Sequence, residues 1–182
     1  MLHPHRFDRL ALRRFTAPLS HGATFIAVTA LVMYGDLVTK WVAVTLWSGE
    51  THWLVGGLVR IQVVHNTLGA FSTSLGRHTW EINVAATVIA VLLATAVSSK
   101  LAALDATAPA TFGLVAGAGM GNLASLLGSS AGVPDFLAVS DGTGGALVLN
   151  LADVAAYLGI VCCLRVAWTV GRAHRREARP RR

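Results

Sequence analysis

Two aspartates, Asp135 and Asp153, lie just before and just inside the last long apolar segment of the chain. Asp153 belongs to the run Asn-Leu-Ala-Asp, where a membrane-spanning helix is predicted to begin. A charged carboxylate at that depth costs about 3 kcal/mol, so such a residue is usually retained for a function. Two carboxylates that share one proton are the minimal apparatus of aspartic-type peptide hydrolysis. The pair therefore predicts a hydrolytic site, provided that the fold brings the two side chains together.

Four apolar stretches must position these carboxylates, and each is long enough to cross a bilayer. The chain has 182 residues, of which 54% are hydrophobic and 13% charged, and its mean hydropathy is +0.59. Soluble domains carry about 25% charged residues, and about 20 helical residues span the hydrocarbon core of a bilayer. We therefore predict an all-α integral membrane protein with four transmembrane helices, over residues 23–47, 81–98, 110–128 and 150–171.

The basic residues indicate how these helices are oriented. Most precede the first span or follow the last, and the short loop between the second and third spans carries Lys100. The segments 48–80 and 129–149 hold only Arg60 and Arg77. By the positive-inside rule, both termini and the Lys100 loop face the cytoplasm, and the other two segments face outward. The net charge of +6 is therefore interpreted as a topology signal, and no nucleic-acid partner is expected.

The chain shows no internal repeat, so we treat it as a single membrane domain. The first apolar run is too long for a cleavable signal peptide. Segment 52–64, rich in β-branched residues and containing Gly-Gly, predicts a small outer hairpin or sheet. Residues 134–140, with Pro134 in the first turn, predict a short interfacial helix. The parts of the domain are a basic N-terminal arm (1–20), a four-helix transmembrane region (21–171) and a disordered basic cytoplasmic tail (172–182).

The polar residues of this apolar chain converge on one predicted face of the membrane. Asp36 and Lys40 are four residues apart, so they share one helical face near the outer end of the first span. The other members lie in the outer third of the third span, at the start of the fourth span, or in the two outer loops. This convergence follows from the topology and favours an active site at the outer leaflet. The full set is Asp36, Lys40, Asn66, Asn122, Asp135, Asn150 and Asp153.

Each member of this set also has a purely structural explanation. Asp36 and Lys40 neutralise one another as a buried ion pair. Asn150 suits the N-cap of the fourth span, where the helix dipole favours Asp153 in the first turn. Asn122 follows several glycines and fits a close helix-packing face. Singly, the structural explanations are preferred, whereas the whole set on one boundary of a short chain favours a functional site.

In their order along the chain, these residues resemble those of the lipoprotein signal peptidases, the type II signal peptidases of bacteria. The resemblance covers nearly the whole chain, and the ordered set is more specific than any single piece. The matching stretches are 36–40 (Asp-x-x-x-Lys), 66–71 (Asn-x-Gly-x-Ala-Phe), 121–126 (Gly-Asn-x-x-Asp-Arg), 133–136 (Val-x-Asp-Phe) and 149–153 (Phe-Asn-x-Ala-Asp), where the family pattern stands in parentheses.

The chain departs from these patterns at several positions, so it resembles a divergent member. Leu68 occupies a glycine position of the first outer loop, and Gly69 follows one place later. Ser125 and Leu126 replace the Asp-Arg pair at the end of the third span, which removes a charge pair near the site. Leu149 stands where the family has Phe.

The resemblance implies removal of the signal peptide from diacylglyceryl-modified prolipoproteins, by hydrolysis of the bond before the lipidated cysteine. Asp135 and Asp153 carry over as the catalytic dyad. One carboxylate, ionised, activates a water molecule, while the other, protonated, polarises the scissile carbonyl. The sequence does not tell which aspartate holds the proton. Supporting or substrate-binding roles carry over to Asp36, Lys40, Asn66, Asn122 and Asn150.

The implied partners are prolipoprotein substrates in the lipid bilayer of a bacterial cytoplasmic membrane, with the active site facing the extracytoplasmic side. No cysteine and histidine spacing resembles a zinc site and no glycine-rich phosphate loop follows a strand, so neither metal nor cofactor is expected. We expect a monomer.

Two other functions stay open at this point. A catalytically silent homologue that binds lipoprotein precursors or lipid is suggested by Leu68, Ser125 and Leu126, whereas the intact pair of aspartates argues against it. A transporter that uses Asp36 and Asp153 as a proton relay would need polar groups through the full thickness of the membrane. The cytoplasmic halves of the last three spans contain few such groups, so this alternative is disfavoured.

Overall fold

The computed structural model describes residues 20–67 and 76–177, so nearly all of the basic arm lies outside the described residues. The described part contains four long helices, and each is apolar enough to cross a membrane, which confirms the predicted spans. The helices are α1 (His21–Trp47), α2 (Thr79–Ala102), α3 (Ala108–Gly128) and α4 (Leu151–Glu177).

The last helix is longer than expected. Because α4 continues to Glu177, the prediction of a disordered tail is wrong for residues 172–177. This stretch contains neither Gly nor Pro, so nothing in it ends the helix. The remainder of the predicted tail, residues 178–182, lies outside the described residues.

α3 is the central helix and packs against each of the other three. Its face toward α1 is a row of glycines at four-residue spacing, Gly113, Gly117 and Gly121. A Cβ atom on Gly117 would lie 2.7 Å from the carbonyl oxygen of Thr29, and one on Gly121 would lie 2.6 Å from the Asp36 carboxylate. Small residues allow two membrane helices to approach this closely. The row therefore determines where Asp36 stands against α3.

The bundle has two ends with different contents. The contacts between α1 and α3 show that these two helices run parallel to one another, whereas α2 and α4 run in the opposite direction. We call the end with the C-termini of α1 and α3 the sheet end, and the opposite end the loop end. α2 and α4 lie on either side of α3 and make few contacts with one another, which leaves a groove over α3.

An antiparallel sheet lies at the sheet end, and its strands follow each other in chain order. The first turn contains Gly56 (φ 46°) and Gly57 (φ 79°), the left-handed conformation that a tight hairpin requires. The hairpin predicted within 52–64 is thus confirmed. The strands are β1 (Thr51–Val55), β2 (Val59–Asn66), β3 (Val133–Ser140) and β4 (Ala146–Leu149).

The prediction of a short interfacial helix over 134–140 is wrong, because these residues belong to β3. Pro134 suits the start of a helix, but here it lies opposite His65 of β2. β4 pairs with β3 only from Leu137 onward. Pro134, which has no backbone N–H, therefore removes no hydrogen bond from the pairing of β3 with β4. As a consequence, Asp135 is carried by a strand held on a neighbouring strand and not by a lone surface helix.

Candidate active site

All seven polar residues singled out in the sequence meet at the sheet end of the bundle. They come from every helix except α2 and from the two central strands. Hydrogen bonds join them into one connected network, so the predicted convergence of these residues is a property of the fold. The members are Asp36 and Lys40 (α1), Asn66 (β2), Asn122 (α3), Asp135 (β3), and Asn150 and Asp153 at the start of α4.

The contribution of α1 is a buried ion pair. Lys40 Nζ lies 2.6 Å from Asp36 Oδ2, and both side chains are almost completely buried. Nζ also donates to Asn122 Oδ1 at 2.6 Å, while Asp36 Oδ1 accepts the backbone N–H of Ala152 at 2.8 Å. A buried pair is stable only when additional hydrogen bonds satisfy both partners. The pair therefore neutralises itself and also ties α1 to α3 and α4.

Asn150 and Asp153 hold the first turn of α4 together. Asn150 Oδ1 accepts the backbone N–H of Asp153 at 2.9 Å, and Asp153 Oδ2 accepts the backbone N–H of Asn150 at 3.0 Å. This reciprocal arrangement is of the capping-box type. The other carboxylate oxygen, Oδ1, accepts from Asn122 Nδ2 at 3.0 Å. The capping explanation is thus correct, and the same cap fixes the position of the Asp153 carboxylate.

Asp135 is held on β3 by two amide side chains. Asn150 Nδ2 donates to its Oδ1 at 2.6 Å, and Asn66 Nδ2 donates to its Oδ2 at 3.2 Å. Only 5% of Asp135 is exposed. Burial raises the pKa of Asp135 to about 6; the hydrogen bond from Asn150 opposes this rise, and the nearby charge of Asp153 adds to it. A carboxyl group with such a pKa retains its proton in weakly acidic solution, as a general acid must.

Asp135 and Asp153 line the same cavity, which has a volume of about 450 Å³. Ligand sites usually measure about 300–1,000 Å³, so a peptide segment can enter. α3 forms the floor of the cavity, α2 and α4 form its walls, and β3 and β4 close its upper side. The other lining residues are Asn66, Asn83, Thr87, Asn122, Leu123, Leu126, Val133, Leu147, Val148, Leu149, Ala156, Tyr157 and Ile160.

The cavity divides the network into two groups. Four of its members line the cavity, whereas Asp36, Lys40 and Asn150 do not. Asn150 is only 1% exposed and lies behind the two carboxylates, to which it is hydrogen-bonded. The second group can therefore support the carboxylates but cannot contact a ligand in this cavity.

Sequence reasoning missed three polar residues of the cavity wall. Asn83 and Thr87 lie one turn apart on α2, and Tyr157 lies one turn beyond Asp153 on α4. An asparagine inside a predicted span is itself a signal of function. The four-residue spacing of Asn83 and Thr87 places both on one helical face, so the pair was detectable from the sequence.

The positions that depart from the family patterns fall into different environments. Leu126 and Leu149 line the cavity and make its wall more apolar. The hydroxyl of Ser125 donates to the carbonyl oxygen of Gly121 on its own helix, at 3.1 Å. The changes at residues 68 and 69 lie outside the described residues. Among the described residues that line the cavity, none is basic.

The four-helix fold with its small sheet is similar to that of two bacterial membrane enzymes of known structure. The structure of a bacterial membrane enzyme determined by the in meso method at 2.3 Å resolution is similar to this chain with a TM-score of 0.70. That match has 18% sequence identity and covers 87% of this chain and 94% of the other. A second such structure, at 1.9 Å resolution, has a TM-score of 0.65 and 20% identity, and the match covers 79% and 92% of the two chains. At these identities the similarity concerns the fold.

The family itself is shown by the sequence. The family model described as signal peptidase (SPase) II matches residues 28–169, and the chain belongs to that family. Membership makes it a transmembrane hydrolase of lipoprotein processing, in a family of aspartic peptidases. A comparison with curated proteins found no match.

Proposed function

We propose that this chain removes the signal peptide from diacylglyceryl-modified prolipoproteins by hydrolysing the bond before the lipidated cysteine, with Asp135 and Asp153 as the catalytic dyad. Family membership supports the reaction class. One observation carries the assignment of residues: Asn150 hydrogen-bonds both carboxylates, through its side chain to Asp135 and through its backbone N–H to Asp153. The two carboxylates are thereby held next to one another at the wall of one cavity.

The environments of the two carboxylates suggest their roles. Asp135 is the more deeply buried and carries the proton, while Asp153 accepts two hydrogen bonds at a helix N-terminus that favours negative charge. In the first step, Asp153 takes a proton from water as the water oxygen attacks the scissile carbonyl carbon. Asp135 gives its proton to the carbonyl oxygen, which forms a tetrahedral diol. When the C–N bond breaks, the proton on Asp153 passes to the leaving nitrogen and a hydroxyl proton returns to Asp135.

The shape of the cavity supports a substrate that remains partly in lipid. The lining extends from Asp153 to Ile160, which is about 10 Å along α4 at a rise of about 1.5 Å per residue. Most of this wall is apolar, so a signal segment and acyl chains can stay in hydrocarbon while the scissile bond reaches the carboxylates. We assign the sheet end to the extracytoplasmic side because Lys100, Arg165 and Arg172 all lie toward the loop end.

The test is cleavage of a diacylglyceryl-modified prolipoprotein by the purified protein in lipid. The wild type is compared with Asp153→Asn and with Asp141→Asn, which changes an exposed aspartate of the β3–β4 loop. We expect cleavage before the modified cysteine by the wild type and by Asp141→Asn, and none by Asp153→Asn. A folded wild-type protein that binds the precursor and never cuts it would instead be a silent homologue.

A further inference from the structure

The amides that surround the carboxylates are engaged with the network itself. Asn122 Nδ2 donates to Asp153, and Asn122 Oδ1 accepts from both Lys40 and Asn150. Asn66 donates to Asp135 in the same way. These bonds fix the positions of the carboxylates. Recognition of a ligand's own polar groups must therefore involve a different part of the cavity wall.

The cavity wall formed by α2 carries polar side chains that can hydrogen-bond a ligand. Asn83 and Thr87 are half-buried, line the cavity and lie one turn apart. Neither side chain makes a hydrogen bond within residues 20–67 and 76–177. Thr95, further along the same helix, shows the alternative, because its hydroxyl donates to the carbonyl oxygen of Val91 at 2.8 Å. Thr87 does not turn back in this way, so its hydroxyl is available to a ligand.

A substrate cut in this cavity needs such groups. A peptide bond can be attacked only where the chain is extended, and there its N–H and C=O groups lose their helical partners at a depth with little water. Each unpaired group is costly, so the site must supply donors and acceptors. An asparagine amide offers both, and a threonine hydroxyl offers both on a single atom.

We propose that Asn83, together with Thr87, is a substrate-positioning pair that hydrogen-bonds the extended backbone of the signal segment beside the scissile bond. This inference rests on the proposed function and adds the part of the wall that recognises the peptide. The group recognised is neutral, because Leu126 and other uncharged residues share this part of the lining and no described lining residue is basic. A backbone amide fits that requirement, and a phosphate does not.

The experiment measures steady-state cleavage of a lipidated precursor by variants that keep the branched shape of each side chain and remove its polar atoms. Asn83→Leu removes the amide and Thr87→Val removes the hydroxyl, while Thr95→Val removes a hydroxyl from the same helix outside the cavity. We expect KM to rise about tenfold for Asn83→Leu and about threefold for Thr87→Val, because a backbone contact made in both ground and transition states is lost. For both variants kcat stays within about twofold of wild type, and Thr95→Val leaves KM unchanged.

A conservative variant completes the kinetic test. Asn83→Gln keeps the amide, so its KM is expected to lie nearer to wild type than that of Asn83→Leu. A folding defect would lower the active fraction and hence kcat without raising KM. If the wild type cleaves and Asn83→Leu has a wild-type KM, the inference is wrong and the proposed function stands.

The two proposals can fail separately. If the wild type does not cleave, the proposed function fails, and binding of the same lipidated precursor to the Asp153→Asn variant still tests Asn83. Adding Asn83→Leu to that variant should weaken precursor binding about tenfold. Unchanged binding in that background would overturn the role of Asn83.

Discussion

Each end of the bundle holds a buried aspartate, but the surroundings of the two carboxyl groups affect their ionisation differently. At the loop end, Asp105 accepts hydrogen bonds from the side chain and backbone of Thr107 and pairs with Arg165 at 3.2 Å. The hydrogen bonds from Thr107 hold the pKa of Asp105 below its ordinary value. At the sheet end, Asp135 and Asp153 are held by neutral amides, and the nearest lysine is bonded to Asp36 and Asn122 instead.

This difference shows that a fold can fix the position of a carboxyl group and still allow it to gain or lose a proton. Hydrogen bonds to the charged form and a cationic partner lower the pKa of a carboxyl group, whereas burial raises it. Asp105 has the first environment and remains ionised as a structural acceptor. Asp135 has amide donors and deep burial, so it remains able to gain and lose a proton near neutral pH. The comparison predicts that chemistry belongs to one end and simple anchoring to the other.

The largest expected effect comes from replacing the carboxyl groups of the sheet end, in contrast to that of the loop end. Asp135→Asn and Asp153→Asn should each lower kcat on the order of 10³-fold, since each removes one of the two proposed proton-transfer groups. Asp105→Asn should leave kcat of the folded protein within about twofold of wild type, because no proton transfer depends on it. The measurement is the initial cleavage rate of each purified variant. An equal loss of rate for Asp105→Asn would contradict the functional difference between the two ends.

The next effect concerns the ion pair beneath the site. Lys40→Met leaves Asp36 buried without its partner, which should cost about 3–5 kcal/mol of stability. Adding Asp36→Asn should restore part of this loss, because the uncompensated charge is then gone. Thermal unfolding in detergent measures both variants. A single variant as stable as the wild type would mean that the pair does not support the site.

The pH dependence of cleavage follows from the raised pKa of Asp135. In the proposed mechanism the reaction needs the proton of Asp135, which is lost as the pH rises through about 6. kcat/KM should therefore fall about tenfold for each pH unit above that value. Asp105→Asn should show the same profile. A rate that stays constant from pH 6 to pH 8 would contradict the role of Asp135 as the acid.

The glycine row of α3 offers a smaller comparison along one helix. Gly113→Ala and Gly121→Ala both insert a methyl group into the contact with α1, which should cost about 1–3 kcal/mol each. Only Gly121 touches Asp36, so only Gly121→Ala should also lower kcat. Unfolding and cleavage measured on the same samples separate these effects. Equal losses of kcat would show that activity follows bundle stability alone.

The smallest effect is expected for the ion pair of the loop end. The Arg165 side chain is 60% exposed, while Asp105 is buried and keeps its hydrogen bonds from Thr107 without Arg165. Because water screens the charge of Arg165, the pair contributes only about 0–1 kcal/mol. Arg165→Met should therefore change the unfolding temperature little, in contrast to Lys40→Met. A loss as large as that of Lys40→Met would show that both ends depend equally on their charge pairs.

Much of the fold was predictable because its signals are local. Hydropathy and length identify the four spans, and charge asymmetry places the seven polar residues at one end. β3 was not predictable in this way, since Pro134 and Asp135 also suit a helix start. The strand forms because β2, about seventy residues earlier in the chain, pairs with it. The sequence pattern around Pro134 contains no information about that partner.

The roles of the site residues were harder to predict from the sequence than their presence in the site. Asn150 suits both a helix cap and a functional site, and the structure uses it as a cap that also holds both carboxylates. Whether a residue lines the cavity or stands behind it depends on close packing, such as the approach of Asp36 to Gly121. Asn83 is not among the predicted site residues, although its spacing from Thr87 places both on one helical face.

The most direct test of the central claim is the rate of precursor cleavage by Asp135→Asn, Asp153→Asn and the double variant, measured on folded protein in lipid. Residues that act as one catalytic unit show strongly non-additive losses. We predict that both single variants fall to the same low rate and that the double variant is no slower. If either single variant retains most of the wild-type rate, the two aspartates do not form a catalytic dyad.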